Sequence, residues 1–227
     1  DWFMETTGVA GFRLDAVKHI DSFFMRNFIR DIKEKYGQDF YVFGEFWNPD
    51  KDANLDYLEK IEDRFDLVDV RLHMNLFEAS LAGADYDLRT IFNDSLVQIK
   101  PDKAVTFVEN HDTQRGQALE STVEEWFKPA AYALILLRQE GLPCVFYGDY
   151  YGISGQYAQQ DFKEVLDCLL AIRKDLAYGE QTDYFDDPNC IGWVRSGADN
   201  QSPLAILISN AQENYKTMFV GPEWADH

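Results

Sequence analysis

The sequence predicts an α/β fold in which parallel strands alternate with helices, followed by a small antiparallel β region. Up to about Gly179, short apolar runs alternate with longer amphipathic stretches, which is the pattern of successive βα units. Beyond that point, strand-like runs follow one another without helices and are separated by Gly, Asn, Asp and Pro turns. We therefore predict two domains, residues 1–179 and residues 180–227.

The first two βα units begin with the apolar runs Gly11–Asp15 and Phe40–Glu45, which predict buried strands. Behind the first strand, a helix is predicted over residues 20–36, because large apolar side chains recur there near helical spacing. Gly37 is a suitable residue to end it. Behind the second strand, three apolar residues at helical spacing indicate a helix over residues 55–61.

Three further units follow. Residues 65–72 are a weaker strand candidate, with a helix-rich region after it through Val97. The β-branched run Ala104–Val108 is typical of a strand covered on both faces. The remaining predicted elements are helix 124–139, strand 144–147, helix 162–174 and the antiparallel strands 183–185, 191–195, 204–209 and 217–220.

The composition excludes several classes of partner. The chain has 227 residues, with 40 Asp plus Glu and 21 Lys plus Arg, so its formal net charge is −19. Binding to a phosphate backbone or an anionic membrane surface needs clustered basic residues, so we expect neither nucleic acid nor a membrane as partner. The longest apolar run, Ala130–Leu137, is far shorter than the ~20 residues that span a bilayer. Cys144, Cys168 and Cys190 lack the spacing of a zinc site or a disulfide framework and are interpreted as small buried apolar residues.

Acidic residues follow three of the predicted strands, at the point where each strand ends. Asp15 follows the first strand, Glu45 the second, and Asp112 comes shortly after the fourth. Because the carboxyl ends of parallel strands meet at one edge of a sheet, we expect these side chains to converge. Each acid alone could instead cap the next helix or turn. Arg13 lies on the same strand face as Asp15, and a buried Arg and Asp must pair or serve chemistry, which favours a functional Asp15.

Two chemistries use converging carboxylates, namely divalent metal binding and glycoside hydrolysis. Glu45 is flanked by Phe46 and Trp47, and aromatic surroundings keep a carboxyl group protonated, as general-acid catalysis requires. The segment Tyr147–Gly152 is polar and Gly-rich, which is typical of a binding loop. Sugar rings stack their C–H faces on aromatic rings, so the aromatic residues near the predicted strand ends favour a sugar substrate, although aromatic stretches are also common in cores. These residues are Trp47, Trp126, Tyr147, Tyr150 and Tyr151.

Three segments resemble the second, third and fourth sequence regions of the α-amylase family of glycoside hydrolases, and they come in the family's order. They are Gly11–His19, Gly44–Trp47 and Phe107–Gln114. The chain is more similar still to the bacterial liquefying and intracellular α-amylases, because Leu119–Ser121 and parts of Trp126–Asp149 also resemble that subgroup.

This resemblance implies a partial TIM (β/α)8 barrel. Residues 1–179 would form about the fourth to eighth βα units, and residues 180–227 would begin a C-terminal antiparallel β domain. No segment resembles the family's first region or its calcium-binding insertion domain. We therefore expect the chain to be a fragment of a longer enzyme and to be inactive in isolation.

The resemblance also implies roles for individual residues. Asp15 would be the nucleophile, Glu45 the general acid and base, and Asp112 the residue that binds sugar hydroxyls and stabilises the transition state. Arg13 would keep Asp15 ionised and oriented, and His111 would donate a hydrogen bond beside Asp112. The substrate-binding residues would be Arg13, Lys18, His19, Trp47 and His111.

The implied activity is that of a retaining, endo-acting α-amylase that hydrolyses internal α-1,4-glucosidic bonds of starch or glycogen-like glucans. The alternatives are an α-glucan transglycosylase of the same family and a non-catalytic carbohydrate-binding relative. The implied cofactor is calcium, with the backbone carbonyl of His19 as one ligand, and the implied partner is an α-glucan. The unpaired cysteines and the intracellular relatives favour a cytoplasmic location. Ala10 and Glu109 depart from the family, which usually has an acid and an Asp at these positions.

Overall fold

The computed structural model describes residues 2–198, 201–212 and 214–221, so that parts of the predicted second domain, including residues 222–227, lie outside the described residues. Five strands form one sheet in the order β1-β2-β3-β4-β5, and each neighbouring pair is parallel. The predicted run of five parallel strands is therefore confirmed. The strands are β1 (Gly11–Leu14), β2 (Tyr41–Gly44), β3 (Asp66–Val68), β4 (Ala104–Phe107) and β5 (Leu142–Cys144).

Helices fill the intervals between the strands, as the amphipathic stretches predict. Single turns of 3-10 helix occur at residues 17–19, 83–85, 88–90 and 101–103. The α-helices of the described residues are α1 (Trp2–Thr7), α2 (Ser22–Tyr36), α3 (Lys51–Lys60), α4 (Val70–Ala82), α5 (Leu96–Ile99), α6 (Lys128–Leu136), α7 (Tyr147–Tyr151) and α8 (Lys163–Asp175).

Aspartate side chains determine where three of these helices begin. Asp21, Asp50 and Asp69 each accept a hydrogen bond from the backbone N–H three residues further on, at 2.8, 2.8 and 3.0 Å. These bonds satisfy N–H groups that have no partner within the first helical turn. Helix α2 ends at Gly37, whose φ of 113° strongly favours glycine.

The hydrophobic core lies between the sheet and its helices, and it covers the strands unequally. All four residues of β4 are buried, as the apolar run predicted. Residues of β1 and β5 are half-buried or exposed, because in the described part of the chain each of these strands has a neighbour on one side only. The sheet is therefore open, with β1 and β5 as its two edges.

The second sheet is antiparallel, in the order β6-β7-β8, and it packs on the α/β part of the molecule. Trp193 is completely buried, and its Nε1 donates a hydrogen bond to the carbonyl of Leu137 at 3.3 Å. Arg138 makes a bidentate pair with Asp183 at 2.8 and 2.9 Å. The strands are β6 (Gln181–Asp187), β7 (Cys190–Arg195) and β8 (Leu204–Ser209).

The strand predicted over residues 65–72 is too long. Strand β3 ends at Val68, and helix α4 begins at Val70. The buried carboxylate of Asp69 accepts the N–H of Leu72 and starts the helix within the apolar run.

Three other predicted elements differ from the structure. The fifth strand covers 142–144 rather than 144–147, because an edge strand tolerates the missing N–H of Pro143. The helix predicted over residues 124–139 is too long. The observed helix α6 covers only residues 128–136, and it begins where Pro129 fits the first turn. The strand predicted over residues 217–220 is wrong, since residues 214–221 contain none.

The cysteines differ in their exposure. All three are free. Cys190 is buried, as predicted, but Cys144 and Cys168 are exposed, so the prediction that they are buried apolar residues is wrong. Cys144 is exposed because it lies on the edge strand β5. None of the described helices combines the length and apolar character needed to cross a membrane.

Candidate active site

Asp15 and Glu45 lie side by side at the carboxyl ends of neighbouring strands. Leu14 at the end of β1 pairs with Gly44 at the end of β2. The backbone N–H of Glu45 donates to the carbonyl of Leu14 at 2.8 Å, which continues the pairing beyond the strands. A β-carbon on Gly44 would lie 2.7 Å from the ring of Phe65, so this close packing requires glycine directly before Glu45.

Arg13 joins the two carboxylates. Its Nη1 lies 3.3 Å from Oδ1 of Asp15, and its Nη2 lies 2.7 Å from Oε2 of Glu45. The sequence predicts the first contact, but the second is the shorter one. The side chain of Glu45 is 11% exposed and that of Asp15 is 75% exposed. One acid is therefore shielded from water, while the other faces the open end of the sheet.

The surroundings of Glu45 favour its protonated form. Burial is the largest effect that raises the pKa of its carboxyl group, followed by a hydrogen bond with Asp15 and by the negative charges of Asp15 and Asp112. The positive charge of Arg13 opposes this rise. A buried carboxylic acid beside an exposed carboxylate is the arrangement that supplies one proton donor and one nucleophile.

The chain turns sharply directly after Asp15. Ala16 has φ 47° and ψ 39°, in the left-handed region that residues other than glycine seldom adopt. The backbone N–H of Val17 then donates to the carbonyl of Glu45 at 3.0 Å, which fixes this turn to the end of β2. Such local strain is typical of functional sites.

Asp112 lies in a turn that its own segment stabilises. The side-chain oxygen of Asn110 accepts the backbone N–H groups of Asp112 at 2.8 Å and of Thr113 at 3.0 Å. Nε2 of His111 lies 3.2 Å from Oδ2 of Asp112. The negative charge of Asp112 is the smallest of the effects that raise the pKa of Glu45.

His73 stabilises the chain that leads into this turn, a role that the sequence pattern does not predict. Its Nδ1 lies 2.8 Å from the carbonyl of Val108, and its Nε2 lies 2.8 Å from the hydroxyl of Ser121. Because a carbonyl can only accept, Nδ1 carries the proton and Nε2 accepts from Ser121. Burial lowers the pKa of His73 to about 4, so the ring is neutral. A lone histidine within the apolar pattern of residues 70–79 is the only signal the sequence offers.

The predicted substrate-binding residues fall into two groups. Arg13 and His111 line a cavity of about 190 Å³ together with Glu45 and the exposed Tyr147. Lys18 does not line this cavity, and its Nζ donates to the carbonyl of Trp47 at 3.0 Å.

The remaining aromatic and basic candidates lie in varied surroundings. His19 is exposed. The ring of Trp47 is half-buried and packs 6.2 Å from Phe107 and 6.1 Å from His73, so it contributes to packing beside the site. Trp126 is exposed, and its ring N–H donates to the carbonyl of Ser80 at 3.0 Å.

The segment Tyr147–Gly152 is not a loop. Residues 147–151 form helix α7, in which Tyr147 and Tyr151 are exposed, with ring centroids 4.6 Å apart. Gly148 and Asp149 are buried within it. The polar residue Asp149 made this segment look like an exposed loop. In the structure Asp149 is buried, because it pairs with the side chain of Lys128 on helix α6.

The described residues contain no cluster of acidic, histidine or cysteine side chains that could hold calcium. Among residues 2–198, 201–212 and 214–221, no three His, Cys, Asp or Glu side chains converge on a point that could hold a metal ion. The carbonyl of His19 supplies at most one of the six to eight oxygen ligands that calcium takes.

Comparisons with known proteins agree with this geometry. A family model described as the α-amylase catalytic domain matches residues 1–198. The chain is 46% identical to an α-amylase of Geobacillus stearothermophilus over 99% of its own length and 41% of that protein. It is 43% identical to a cytoplasmic α-amylase of Escherichia coli strain K12 over 99% of its own length and 47% of that protein. The chain thus spans less than half the length of these curated relatives.

A solved structure shows the same fold. The crystal structure of an Anoxybacillus α-amylase superposes with a TM-score of 0.70 at 22% identity, over 93% of this chain and 50% of that one. With the open five-stranded parallel sheet and the antiparallel sheet behind it, this confirms the predicted partial (β/α)8 barrel with a C-terminal β region.

Proposed function

The chain belongs to the α-amylase family of glycoside hydrolases, and from this membership we propose that the protein carrying it is a retaining, endo-acting α-amylase. Its substrate would be the internal α-1,4-glucosidic bonds of starch or glycogen-like glucans. The observation that carries the proposal is Arg13, which holds the exposed Asp15 and the buried Glu45 on one guanidinium group.

The first step of the proposed reaction transfers the sugar to the enzyme. Glu45 donates its proton to the glycosidic oxygen, and the Asp15 carboxylate attacks the anomeric carbon from the opposite side. The C–O bond to the leaving sugar breaks, that sugar departs as an alcohol, and an ester joins the remaining glucan to Asp15. The raised pKa of Glu45 supports this role, since the acid must enter the step protonated.

The second step releases the sugar. The Glu45 carboxylate takes a proton from water, the resulting hydroxide attacks the anomeric carbon, and Asp15 leaves as a carboxylate. Two inversions leave the configuration unchanged. Asp112 would bind sugar hydroxyls and stabilise the positive charge that develops on the ring, with His111 donating a hydrogen bond beside it.

Binding and location follow from the same proposal. Arg13, Lys18, His19, Trp47 and His111 would contact the glucan on either side of the cleaved bond. Calcium would take the carbonyl of His19 as one ligand, and no step of the reaction depends on it. Three free cysteines and the cytoplasmic relative of E. coli support a cytoplasmic location.

The test is Glu45→Gln in the full-length protein, with Glu59→Gln on the surface of α3 as its matched control. We expect E45Q to lower the rate of starch hydrolysis at least ~1,000-fold while oligosaccharide binding by calorimetry persists, because general-acid catalysis and ester hydrolysis are both lost. E59Q should keep the wild-type rate. Near-normal hydrolysis by E45Q would contradict the proposal, and longer or cyclic glucans as the wild-type products would indicate a transglycosylase instead.

A further inference from the structure

A completely buried group of charges lies directly behind the Asp112 turn. The side chains of Lys128, Glu109 and Asp149 are all 0% exposed. Nζ of Lys128 lies 2.7 Å from Oε2 of Glu109 and also forms an ion pair with Oδ1 of Asp149. We call these three residues the buried triad. Burying three ionisable groups costs free energy of desolvation, which their mutual attraction does not always repay, so stability alone does not explain the triad.

The two carboxyl groups of the triad are held differently. Asp149 also accepts hydrogen bonds from the hydroxyl of Tyr132 at 2.5 Å and from Nε2 of Gln159 at 2.6 Å. In contrast, the contacts of Glu109 are with Nζ of Lys128, 2.7 Å from Oε2, and with the hydroxyl of Thr113, 3.4 Å from Oε1. Asp149 therefore has more short contacts than Glu109, and the Lys128–Asp149 pair is the anchor of the triad.

Glu109 links the triad to the candidate active site. It follows the end of β4 and directly precedes Asn110, whose side chain shapes the turn that carries Asp112. The hydroxyl of Thr113 lies 3.4 Å from Oε1 of Glu109, so the turn contacts this carboxyl group on its far side as well. Displacing Glu109 would therefore displace the turn.

One ammonium group faces two carboxyl groups, so the triad is electrically balanced when one carboxyl group holds a proton. Burial raises the pKa of Glu109 to about 7; the charge of Asp149 adds to this, and Lys128 opposes it. The other polar groups around the two carboxyls are the hydroxyls of Tyr132, Thr113 and Thr122 and the side-chain amide of Gln159. The ionic contact with Lys128 is thus strongest above neutral pH.

We propose that Lys128 is a positioning residue for the glycosidase reaction, which holds Glu109 against helices α6 and α7 and thereby fixes the location of Asp112. This inference rests on the proposed function. It assigns Lys128 no contact with substrate. A displacement of about 1 Å at a reacting group can lower a rate by ~100-fold, so the loss of this contact should be measurable.

The first test is the charge-balanced double variant K128M/D149N in the full-length protein. It removes one buried charge of each sign, and Glu109, without the positive charge that lowers the pKa of its carboxyl group, stays protonated. We expect kcat for maltooligosaccharide hydrolysis to fall at least tenfold while KM changes less than threefold, because Asp112 acts mainly in the transition state. The control D56N/K60M removes an exposed pair on α3 and should keep kcat within twofold. A folded K128M/D149N variant with wild-type kcat would overturn the proposal.

The second test does not depend on that variant folding. In E109Q, the residue keeps its shape and cannot ionise, so it resembles protonated Glu109. We expect the kcat of E109Q to match the wild type at pH 6 and to fall at least threefold below it at pH 8, where the wild-type ionic contact forms. A ratio that is the same at both pH values would overturn the proposal. If the wild type itself hydrolyses no glucan, the proposed function fails, whereas an active wild type matched by these variants refutes only the role of Lys128.

Discussion

At the residue scale, the site depends on a few side chains that connect strands distant in sequence. Arg13 contacts Glu45 more closely than Asp15, although Glu45 lies 32 positions away along the chain. An arginine suits this position because its planar fork can hold two carboxyl groups at once, whereas a lysine presents a single charge. The protonation of Glu45 is thus set by the balance between burial and its charged neighbours.

His73 provides a test of the support behind Asp112. In His73→Phe, the carbonyl of Val108 loses its partner in a buried place, whereas the hydroxyl of Ser121 can donate to the carbonyl of Leu119 at 2.9 Å. We therefore expect the free energy of unfolding to fall by about 2–3 kcal/mol at pH 7.5. The folded-state pKa of about 4 lies below the ordinary value of 6.5, so the wild type loses this stability as pH falls from 6.5 towards 4. The loss amounts to roughly 3 kcal/mol.

Urea unfolding of both forms of the full-length protein at pH 7.5 and pH 4.5 checks this prediction. The stability gap between wild type and H73F should nearly close at the lower pH. A gap of equal size at the two pH values would show that His73 is not a buried neutral ring in solution.

The sequence could predict the acids and could not predict their supports. Asp15 and Glu45 follow apolar runs directly, and the rule that strand ends share one edge brings them together. The roles of His73 and Lys128 depend on neighbours that lie 35 or 48 positions away for the histidine and 19 or 21 for the lysine. No local periodicity encodes such contacts, so these residues look like polar interruptions of apolar helices.

At the element scale, helix starts explain where strand and helix boundaries fall. Asp69 is buried, and its two carboxylate oxygens accept the N–H groups of Leu72 at 3.0 Å and Val97 at 2.7 Å. It therefore starts α4 and ties α5 to it. The strand predicted over residues 65–72 is too long because Val70 and Leu72 continue its apolar pattern beyond this cap, and only Asp69 marks the start of the helix.

Asp69→Ala should be the more harmful of two matched cap removals. Asp50 makes one exposed capping bond to Ala53, and its replacement by Ala should cost about 1 kcal/mol. Asp69→Ala leaves two buried N–H groups without an acceptor, which should cost about 3 kcal/mol or more. Thermal or urea unfolding of D50A and D69A in the full-length protein measures both. Equal losses would mean that the second bond of Asp69 adds nothing.

At the scale of the whole molecule, the described sheet is half of a closed barrel. Strands β1 and β5 each have one free edge, and large apolar side chains such as Phe23 and Phe24 are exposed on α2. Free strand edges and exposed aromatic groups favour association with further chain or with other copies. The chain also spans less than half the length of the α-amylases it matches.

We therefore expect the 227-residue chain alone to hydrolyse starch at less than ~1% of the rate of the full-length protein, because half of the barrel rim is absent. A reducing-sugar assay on both proteins at equal concentration gives the comparison. Comparable rates would show that these five βα units form a complete catalytic site.

In the proposed mechanism, Asp15 forms a covalent bond to the sugar and Glu45 activates the water that hydrolyses it. The most direct measurement combines the Glu45→Gln variant of the full-length protein with α-maltosyl fluoride. Fluoride leaves without a general acid, so the ester can form, but its hydrolysis lacks the base and it accumulates. Peptide mass spectrometry should then find the maltosyl group on Asp15. A maltosyl group on another residue, or fluoride release with no ester at all, would contradict this mechanism.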